Sequence, residues 1–312
     1  MIMNKKVIVI VGPTAVGKTS LSIKIAHNFS GEIISGDSMQ IYRNLDIGTA
    51  KVSIKEMENV KHHLINICDI NDRFTAYDFQ SLALLEIERI SHRNHLPIVV
   101  GGTGFYLNSL IYNLFLGGDC NSNKTLLIRN KLLNIYQDKG KTFLWNLLYK
   151  LDPNSADNIS MNNIRKVIRA LEVIYITGRP FSQQPKKKDT NISFLILGLN
   201  TNRKILYKRI NRRVDLMIKN GLIDEAFSLY KHRETAIQAS KGIGYKELFD
   251  YFDNKCSLNK SIDNIKRNSR RYAKRQLTWF KNKMKNVYWF DPIQNNNDIS
   301  IILQLICEWI LS

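Results

Sequence analysis

The chain has 312 residues, 44% of them hydrophobic, which is enough for a folded core in two domains or in one domain with a large insertion. It contains no run of eighteen apolar residues and no signal-peptide cleavage pattern, so we expect no membrane partner. The four cysteines lie far apart, without a CxxC or Cys/His spacing. This favours reduced thiols in the cytoplasm over a zinc site or a disulfide framework.

The formal net charge of +19 is unevenly distributed. Residues 1–110 carry 11 basic and 10 acidic side chains, whereas residues 111–312 carry 35 and 17. A one-sided positive field favours a polyanionic partner such as a nucleic acid, because each neutralised phosphate releases counterions. A lysine-rich genome is the alternative, but a bias of that kind would spread evenly along the chain.

The first hundred residues alternate between apolar runs and amphipathic segments. In chain order these are the strand KKVIVIV, the helix TSLSIKIAHNF, the strand GEIIS, the helix DFQSLALLEIERISHR and the strand LPIVVGG; a fourth strand, ISFLILGL, comes much later. Strands that alternate with helices predict a parallel α/β sheet with helices on both faces.

A long segment without a strand signal separates the third and fourth strands. Its pattern predicts three helices, LLIRNKLLNIYQDKG, TFLWNLLYKLD and NIRKVIRALEVIYITG, followed by the exposed linker QQPKKKDT. We therefore predict an α/β core made of residues 1–115 and 189–312, a helical insertion domain at 116–188, and a helical, basic C-terminal region.

The first strand runs into GPTAVGKT, which fits the phosphate-binding pattern Gly-x-x-x-x-Gly-Lys-Thr. Its glycines let N–H groups turn inward, the following helix adds its dipole, the lysine adds a point charge, and the threonine hydroxyl can hold Mg²⁺. A structural glycine turn is the alternative, but the flanking strand and helix are the context that a P-loop NTPase-like core requires. The residues assigned to this loop are Gly12, Pro13, Thr14, Ala15, Val16, Gly17, Lys18 and Thr19.

Polar side chains follow the second and third strands. Asp37 and Ser38 come directly after the second strand, and Thr103 follows two glycines after the third. Ligands bind at the carboxyl ends of strands in open parallel sheets, so these residues are candidates for a site. Asp37 can coordinate a metal, cap a helix or act as a general base, and Thr103 can donate to a phosphate or cap the next helix.

Two basic segments follow the fourth strand. Arg209 and Arg213 are four residues apart on one helical face, where they can clamp a diphosphate or simply be solvated. Residues 264–290 contain nine basic and no acidic side chains. The aromatic residues Tyr272, Trp279 and Phe280 predict a stripe that packs on the core, which leaves a basic face for a nucleic-acid backbone.

Seven stretches, in this order, resemble the tRNA dimethylallyltransferases, also called tRNA isopentenyltransferases, over nearly the whole chain. They are GPTAVGKT, EIISGDSMQIYRNLDIGTAK, HHLINI, VVGGTGFYLNSL, IRKVIRALEV, GIGYKEL and RRYAKRQLTWF. The stretch from Ser35 to Lys51 is the most specific, because ordinary P-loop kinases contain nothing like it. His62 and His63 also match the family, and we expect them to be structural.

The resemblance implies transfer of a dimethylallyl group from dimethylallyl diphosphate to N6 of the adenosine 3′-adjacent to the anticodon in tRNA, with release of diphosphate. It implies that the phosphate-binding loop, Arg209 and Arg213 hold the diphosphate, with Mg²⁺ near Thr19. Asp37 matches the general base of the family, while Lys18 and Thr103 would stabilise the leaving group. We expect a cytoplasmic enzyme, monomeric and without a membrane partner, that acts on a tRNA anticodon stem-loop.

The resemblance also implies a set of positions that contact the RNA, whose target base must be flipped out of its stack. These positions are Asp37, Ser38, Met39, Gln40, Thr103, Arg129, Arg165, Lys166, Val167, Ile168, Arg169, Lys241, Gly242, Ile243, Gly244, Tyr245 and Lys246. Arg129 and residues 165–169 lie in the predicted insertion, whose basic helices would grip the anticodon stem.

The sequence leaves three alternatives. A small-molecule P-loop kinase would use the same loop for ATP, but it does not account for the basic charge beyond residue 110. An adenylate isopentenyltransferase would perform the same chemistry on free nucleotides, but it should be shorter and lack the basic insertion. A non-enzymatic RNA-binding module leaves Lys18, Asp37 and Thr103 without a reason to occur together.

Overall fold

The computed structural model describes residues 5–116, 123–184 and 191–312, which form six strands and eleven α-helices. The strands are β1 (Lys5–Val11), β2 (Gly31–Ser35), β3 (His62–His63), β4 (Leu96–Gly101), β5 (Ile192–Leu199) and β6 (Val287–Phe290). The helices are α1 (Lys18–Asn28), α2 (Ala76–His92), α3 (Gly104–Ile111), α4 (Asn123–Leu151), α5 (Pro153–Asn158), α6 (Ile164–Thr177), α7 (Arg203–Lys219), α8 (Leu222–Tyr230), α9 (Tyr245–Phe252), α10 (Leu258–Lys283) and α11 (Asp298–Leu311). Among these described helices, none combines the length and the apolar character needed to cross a membrane. Cys120 and most of the predicted linker QQPKKKDT lie outside the described residues.

The strands form one parallel sheet in the order β3-β2-β4-β1-β5-β6. β1 lies between β4 and β5, with Ile10 opposite Val100 on one side and Leu197 on the other. Residues 7–11 are all buried, as expected for a parallel strand that is covered on both faces. The predicted parallel α/β sheet is confirmed. The edge strands β3 and β6 were not among the four predicted strands. They are so short that their residues give no clear periodic signal.

The core packs helices against the sheet through apolar residues at helical spacing. Leu21 and Ile25 of α1 pack with Ile10 of β1, and Ile210 of α7 and Ile306 of α11 belong to the same buried cluster. Each buried side chain of this size contributes about 1.5–3 kcal/mol relative to exposure. This packing fixes α1 and the loop that precedes it against the carboxyl end of β1.

The chain divides into two compact units. The first contains the described parts of Met1–Phe74, Phe79–Ile111 and Asn191–Ser312, and therefore the whole sheet; the second contains those of Thr75–Asp78 and Tyr112–Thr190. The second unit is built on α4, α5 and α6, and α4 is interrupted at Gly140, where the backbone is not helical. Its own core includes Leu144, Leu148 and Leu171. Thr75–Asp78 also belongs to the second unit, although no pattern in the sequence distinguishes this segment from the α/β core around it.

Candidate active site

The carboxyl ends of β1, β4 and β2 lie side by side, because β4 pairs with both of the others. The phosphate-binding loop follows β1, Asp37 follows β2, and Thr103 follows β4. Thr103 Oγ1 accepts the backbone N–H of Ser38 at 3.0 Å and donates to Ser38 Oγ at 3.2 Å. The sheet topology therefore joins three motifs that are far apart in the sequence.

The phosphate-binding loop curls around the side chain of Lys18. Gly12 (φ 152°) and Gly17 (φ 104°) have the positive φ values that glycine adopts without strain. Lys18 Nζ donates to the carbonyl oxygens of Gly12, at 2.9 Å, and Pro13, at 2.8 Å. Burial lowers the pKa of Lys18 to about 8, although the nearby carboxylate of Asp37 opposes this shift. A bound anion would favour the charged lysine, so this environment suits a phosphate ligand.

Two arginines of α7 reach the same loop. Arg209 Nε donates to the carbonyl oxygen of Ala15 at 2.8 Å. Arg213 donates through one terminal nitrogen to Thr14 Oγ1 at 3.0 Å and through the other to the carbonyl oxygen of Ala50 at 3.4 Å. Burial lowers the pKa of Arg213, while the carboxylates of Asp37 and Glu56 oppose the shift. The structure thus brings both arginines to the loop, as their helical spacing predicts.

Helix α10 contributes two side chains that the sequence did not single out for the site. Gln276 accepts the N–H of Thr14 at 2.9 Å and donates to the carbonyl oxygen of Gly102 at 2.9 Å, so it joins the phosphate-binding loop to the turn after β4. Tyr272 lines the cleft, and burial raises the pKa of its phenol.

The expectation that Tyr272 packs in the core is therefore wrong, whereas Phe280 is fully buried. Trp279 contacts α3, where its ring lies edge-on to that of Phe105 with 6.5 Å between the ring centroids. Tyr272 and Gln276 lie four residues apart, so they share a helical face, and this spacing was the available signal.

The cleft at this edge of the sheet has a volume of about 1260 Å³. Its walls include the phosphate-binding loop, Asp37, Gln40, the segment around 46–53, and one face of α7. Ordinary small-molecule pockets occupy about 300–1,000 Å³. The cleft is therefore large enough for more than one small ligand.

The cations predicted to contact RNA in the second unit, on α4 and α6, have two different environments. The side chains of Arg129 and Arg169 both pair with Glu172, at 2.7 Å and 2.9 Å, and Glu172 is fully buried. Arg169 also donates to the carbonyl oxygen of Leu116. Arg165 and Lys166 are exposed on the same helix. Only these last two are wholly available to an external partner.

Val167 and Ile168 lie in the hydrophobic core of the second unit. Their side chains are buried, and RNA contact at these two positions stays a prediction. They hold α6 in place, while their exposed neighbours face the solvent.

The segment Lys241–Lys246 packs beside Asp37–Gln40. Gly242 lies against the methyl end of Met39. Tyr245 is fully buried and donates its hydroxyl to Glu225 at 2.7 Å. Lys241 and Lys246 are exposed. Two of the sequence stretches expected to contact RNA are therefore neighbours in space.

The histidine pair belongs to the sheet rather than to the cleft. His62 and His63 form β3, beside β2. His63 lies between two carboxylates, with Nε2 2.6 Å from Glu32 and Nδ1 2.9 Å from Glu86. These contacts agree with the structural role expected for the pair.

Known proteins similar to this chain are tRNA-modifying prenyltransferases. A family model described as IPP transferase matches residues 40–283. The chain is 56% identical over 308 residues to the tRNA dimethylallyltransferase of Limosilactobacillus reuteri (strain DSM 20016), covering 99% of each chain, and 53% identical over 308 residues to that of Ligilactobacillus salivarius (strain UCC118), covering 99% and 100%.

Two solved structures are similar along nearly all of this chain. One is the full-length tRNA isopentenylpyrophosphate transferase from Bacillus halodurans, with 46% identity, a TM-score of 0.71 and coverage of 97% and 96% of the two chains. The other is a eukaryotic dimethylallyltransferase acting on tRNA, with 31% identity, a TM-score of 0.83 and coverage of 98% and 79%.

A parallel sheet whose first strand ends in a lysine-containing phosphate-binding loop defines a P-loop NTPase-like protein, and the structural neighbours share this fold. Within that class, the family model and the relatives above 50% identity show that this chain belongs to the IPP transferase family. The family resemblance in the sequence motifs is confirmed.

Proposed function

We propose that this chain transfers the dimethylallyl group of dimethylallyl diphosphate to N6 of the adenosine 3′-adjacent to the anticodon of tRNA. The observation that carries the proposal is the meeting of the phosphate-binding loop, Asp37 and Thr103 at one sheet edge, through the β2-β4-β1 pairing. The loop alone would suit many phosphate ligands. A carboxylate and a hydroxyl beside it add the groups that an alkylation of an amine needs.

In the reaction the N6 lone pair attacks C1 of the allyl group, the C1–O bond breaks, and diphosphate leaves with the bonding electrons. An adenine amine is a weak nucleophile, so its proton must be removed as it attacks. We assign that proton to the carboxylate of Asp37. The N–H of Met39 donates to Asp37 Oδ1 at 2.9 Å, which orients the carboxylate and leaves Oδ2 for the substrate.

Negative charge increases on the diphosphate as it leaves. Lys18 within the loop, and Arg209 and Arg213 beside it, supply fixed positive charge where that change occurs. Thr103 Oγ1 already accepts the N–H of Ser38, so its own proton can turn from Ser38 Oγ to a substrate oxygen. These groups stabilise the transition state more than the bound substrate.

The family acts on a prenyl diphosphate, a substrate that generally requires a divalent metal, and we assign Mg²⁺ to this role. The described residues contain no cluster of three or more His, Cys, Asp or Glu side chains able to hold a metal. Mg²⁺ often uses only one or two protein oxygens together with substrate phosphates and water, and the exposed Thr19 at the end of the loop fits that mode. When bound, the metal would neutralise charge on the diphosphate.

The RNA would be held by exposed cations and by the motifs around the cleft. Arg165 and Lys166 are exposed in the second unit, and Lys241 and Lys246 in the first. A volume of about 1260 Å³ supports binding of a flipped base beside the prenyl donor. The charge of the chain beyond residue 110 supports the same partner.

The direct test incubates the purified protein with labelled dimethylallyl diphosphate, Mg²⁺ and a tRNA anticodon stem-loop. We expect label in the RNA and release of pyrophosphate. A stem-loop with guanosine in place of the target adenosine lacks the N6 amine and should remain unlabelled. Labelled AMP without labelled RNA would favour a free-nucleotide prenyltransferase, and ATP-dependent phosphorylation of a small substrate would favour a kinase; either result contradicts the proposal.

We assign this activity to a monomer in the cytoplasm. Sedimentation of the active protein at its single-chain mass, 36.1 kDa, is the expected result.

A further inference from the structure

The segment around residues 46–53 forms a wall of the cleft but has no part in the chemistry described above. It begins with a tight turn, in which the N–H of Lys51 donates to the carbonyl oxygen of Asp46 at 2.9 Å. The Lys51 side chain is nearly buried and donates to the carbonyl oxygen of Tyr42, to Asp46 Oδ1 and to Asn66 Oδ1, each at 2.6 Å. These contacts hold the C-terminal end of the turn.

A single carboxylate holds the other end. Glu225, in the first turn of α8, accepts the backbone N–H groups of Asp46 (2.7 Å) and Ile47 (2.8 Å) through Oε2 and that of Gly48 (2.8 Å) through Oε1. Three consecutive N–H groups that point to one place form a concave site for an anion. In this protein the anion is a side chain from a distant part of the sequence.

Tyr245 completes the contacts of this carboxylate. Its hydroxyl donates to Glu225 Oε1 at 2.7 Å, and burial together with the charge of Glu225 raises the pKa of the phenol. The turn also packs on the tyrosine ring, because a Cβ added at Gly48 would lie 2.6 Å from Tyr245 Cζ. Tyr245 belongs to the segment 241–246 that we propose for RNA, so the carboxylate touches both the turn and that segment.

The turn is in contact with the diphosphate site through Arg213. The carbonyl oxygen of Ala50 accepts from Arg213 at 3.4 Å, and the same guanidinium donates to Thr14 Oγ1 in the phosphate-binding loop at 3.0 Å. A continuous series of hydrogen bonds therefore runs from Tyr245 through Glu225, the turn and Arg213 to the loop. A shift of the turn would move the carbonyl group that orients Arg213.

We propose that Glu225 is a positioning residue, which fixes the turn at 46–51 and through it Arg213 for diphosphate binding, with Tyr245 holding the carboxylate in place. The inference rests on the proposed function only in taking diphosphate as the ligand of the loop. A carboxylate is required because both of its oxygens accept hydrogen bonds. One oxygen accepts from two backbone N–H groups, and the other accepts from one N–H group and the tyrosine hydroxyl. In a glutamine one of these oxygens becomes an NH₂ group, which cannot accept from its two donors.

The test measures the affinity of the full chain for inorganic pyrophosphate with Mg²⁺, by calorimetry, together with the unfolding midpoint. We expect Glu225→Gln to weaken pyrophosphate binding about tenfold, and Tyr245→Phe about threefold, because the first removes the charge from all the hydrogen bonds of the carboxylate and the second removes only one of those bonds. Asp224→Asn is the matched control, since Asp224 is an exposed acid in the same helical turn and lies outside the cleft lining. It should bind pyrophosphate like the wild type.

A lower unfolding midpoint for Glu225→Gln with unchanged pyrophosphate affinity, measured where the variant is folded, would show a merely structural role and overturn the inference. If Glu225→Gln does not fold, Gly48→Ala and Tyr245→Phe decide the matter. Gly48→Ala disturbs the packing of the turn on the Tyr245 ring, and Tyr245→Phe removes the hydroxyl bound to Glu225. Normal pyrophosphate affinity in both variants would also overturn the inference. Because this assay contains no RNA and no prenyl group, a failed prenyl-transfer assay would reject the proposed function without changing this result.

Discussion

Asp37 lies among positive groups at the end of β2. Its carboxylate interacts electrostatically with Lys18 and Arg213, and the N–H of Met39 fixes one of its oxygens. The sequence identified this residue from its place after a strand and from the family motif. Only the structure shows that a lysine, an arginine and Thr103 come near the same point from three other elements.

We predict that Asp37→Asn lowers kcat for prenyl transfer by about 10²–10⁴-fold, because an amide cannot accept the N6 proton. Affinity for the stem-loop should change little, since the amide keeps the shape of the side chain. Single-turnover kinetics and filter binding measure the two quantities. Asp69→Asn is the control, as Asp69 is an exposed acid paired with Arg43 outside the cleft lining. Near-normal turnover of Asp37→Asn would show that the general base is another group.

At the scale of single elements, α10 acts as a bridge as well as a basic helix. Its side chain Gln276 is buried and bonds to two loops that follow different strands. Replacing it removes partners from Thr14 N–H and Gly102 C=O, and an unsatisfied buried group costs about 1–3 kcal/mol.

Gln276→Ala should therefore lower the free energy of unfolding by about 2–4 kcal/mol. This figure counts two unsatisfied groups and allows for water reaching them in part. Denaturant unfolding measures this change. Lys274→Ala, an exposed position on the same helix, should be near neutral. Equal stability of Gln276→Ala and the wild type would mean that the two loops do not depend on this bridge.

Helix α6 shows how one basic stretch can serve two purposes. The run from Arg165 to Arg169 contains two exposed cations, two core residues and an arginine that pairs with the buried Glu172. Reversing the charge at Arg169 would leave Glu172 facing a like charge in the interior, so that substitution tests folding rather than RNA binding.

The double substitution Arg165→Ala with Lys166→Ala is the better probe of RNA binding. We expect weaker binding of the stem-loop and a salt dependence whose log–log slope is smaller by about 0.7–0.9 for each phosphate group that the variant no longer neutralises. Titrations at several salt concentrations measure the slope. Lys131→Ala, an exposed lysine of α4, should leave it unchanged. An unchanged slope in the double variant would place the RNA elsewhere on the protein.

For the whole molecule, the buried carboxylate of Glu32 in β2 links folding to pH. Burial would raise the pKa of Glu32, but hydrogen bonds from Arg93, His63 and His95 outweigh it and lower the pKa to about 2. A carboxyl whose pKa is lowered on folding stabilises the protein above its unfolded pKa. That contribution, about 3 kcal/mol, is complete above pH 4.5 and is lost as the pH falls towards 2.

We predict that Glu32→Gln is less stable than the wild type by about 3 kcal/mol at pH 7, and that the difference shrinks as the pH falls below 4.5. Denaturant unfolding between pH 7 and pH 3 measures both values. Glu234→Gln, at an exposed acid, should follow the wild-type curve. A difference that stays constant down to pH 3 would show that ionisation of Glu32 is not its source.

Local patterns were sufficient for much of this fold. Apolar runs and helical spacing predicted β1, β2, β4 and β5, and GPTAVGKT marked the loop, because these features depend on contiguous residues. β3 and β6 were missed because strands of two and four residues have no periodicity of their own. Tyr272 was assigned to the core because its helix is amphipathic, whereas the face it shares with Gln276 turns to the cleft.

By itself, the sequence determined the α/β class, the phosphate-binding loop and the family to which the motifs belong, and its charge predicted a polyanionic partner. The tertiary structure alone decided the strand order, the arginines that are committed to Glu172, and the contact of Glu225 with the turn at 46–48. The physical reason is the range of the interactions. Helices, strands and loops follow from neighbours along the chain, whereas a carboxylate that binds N–H groups from a distant segment depends on how the sheet and helices pack.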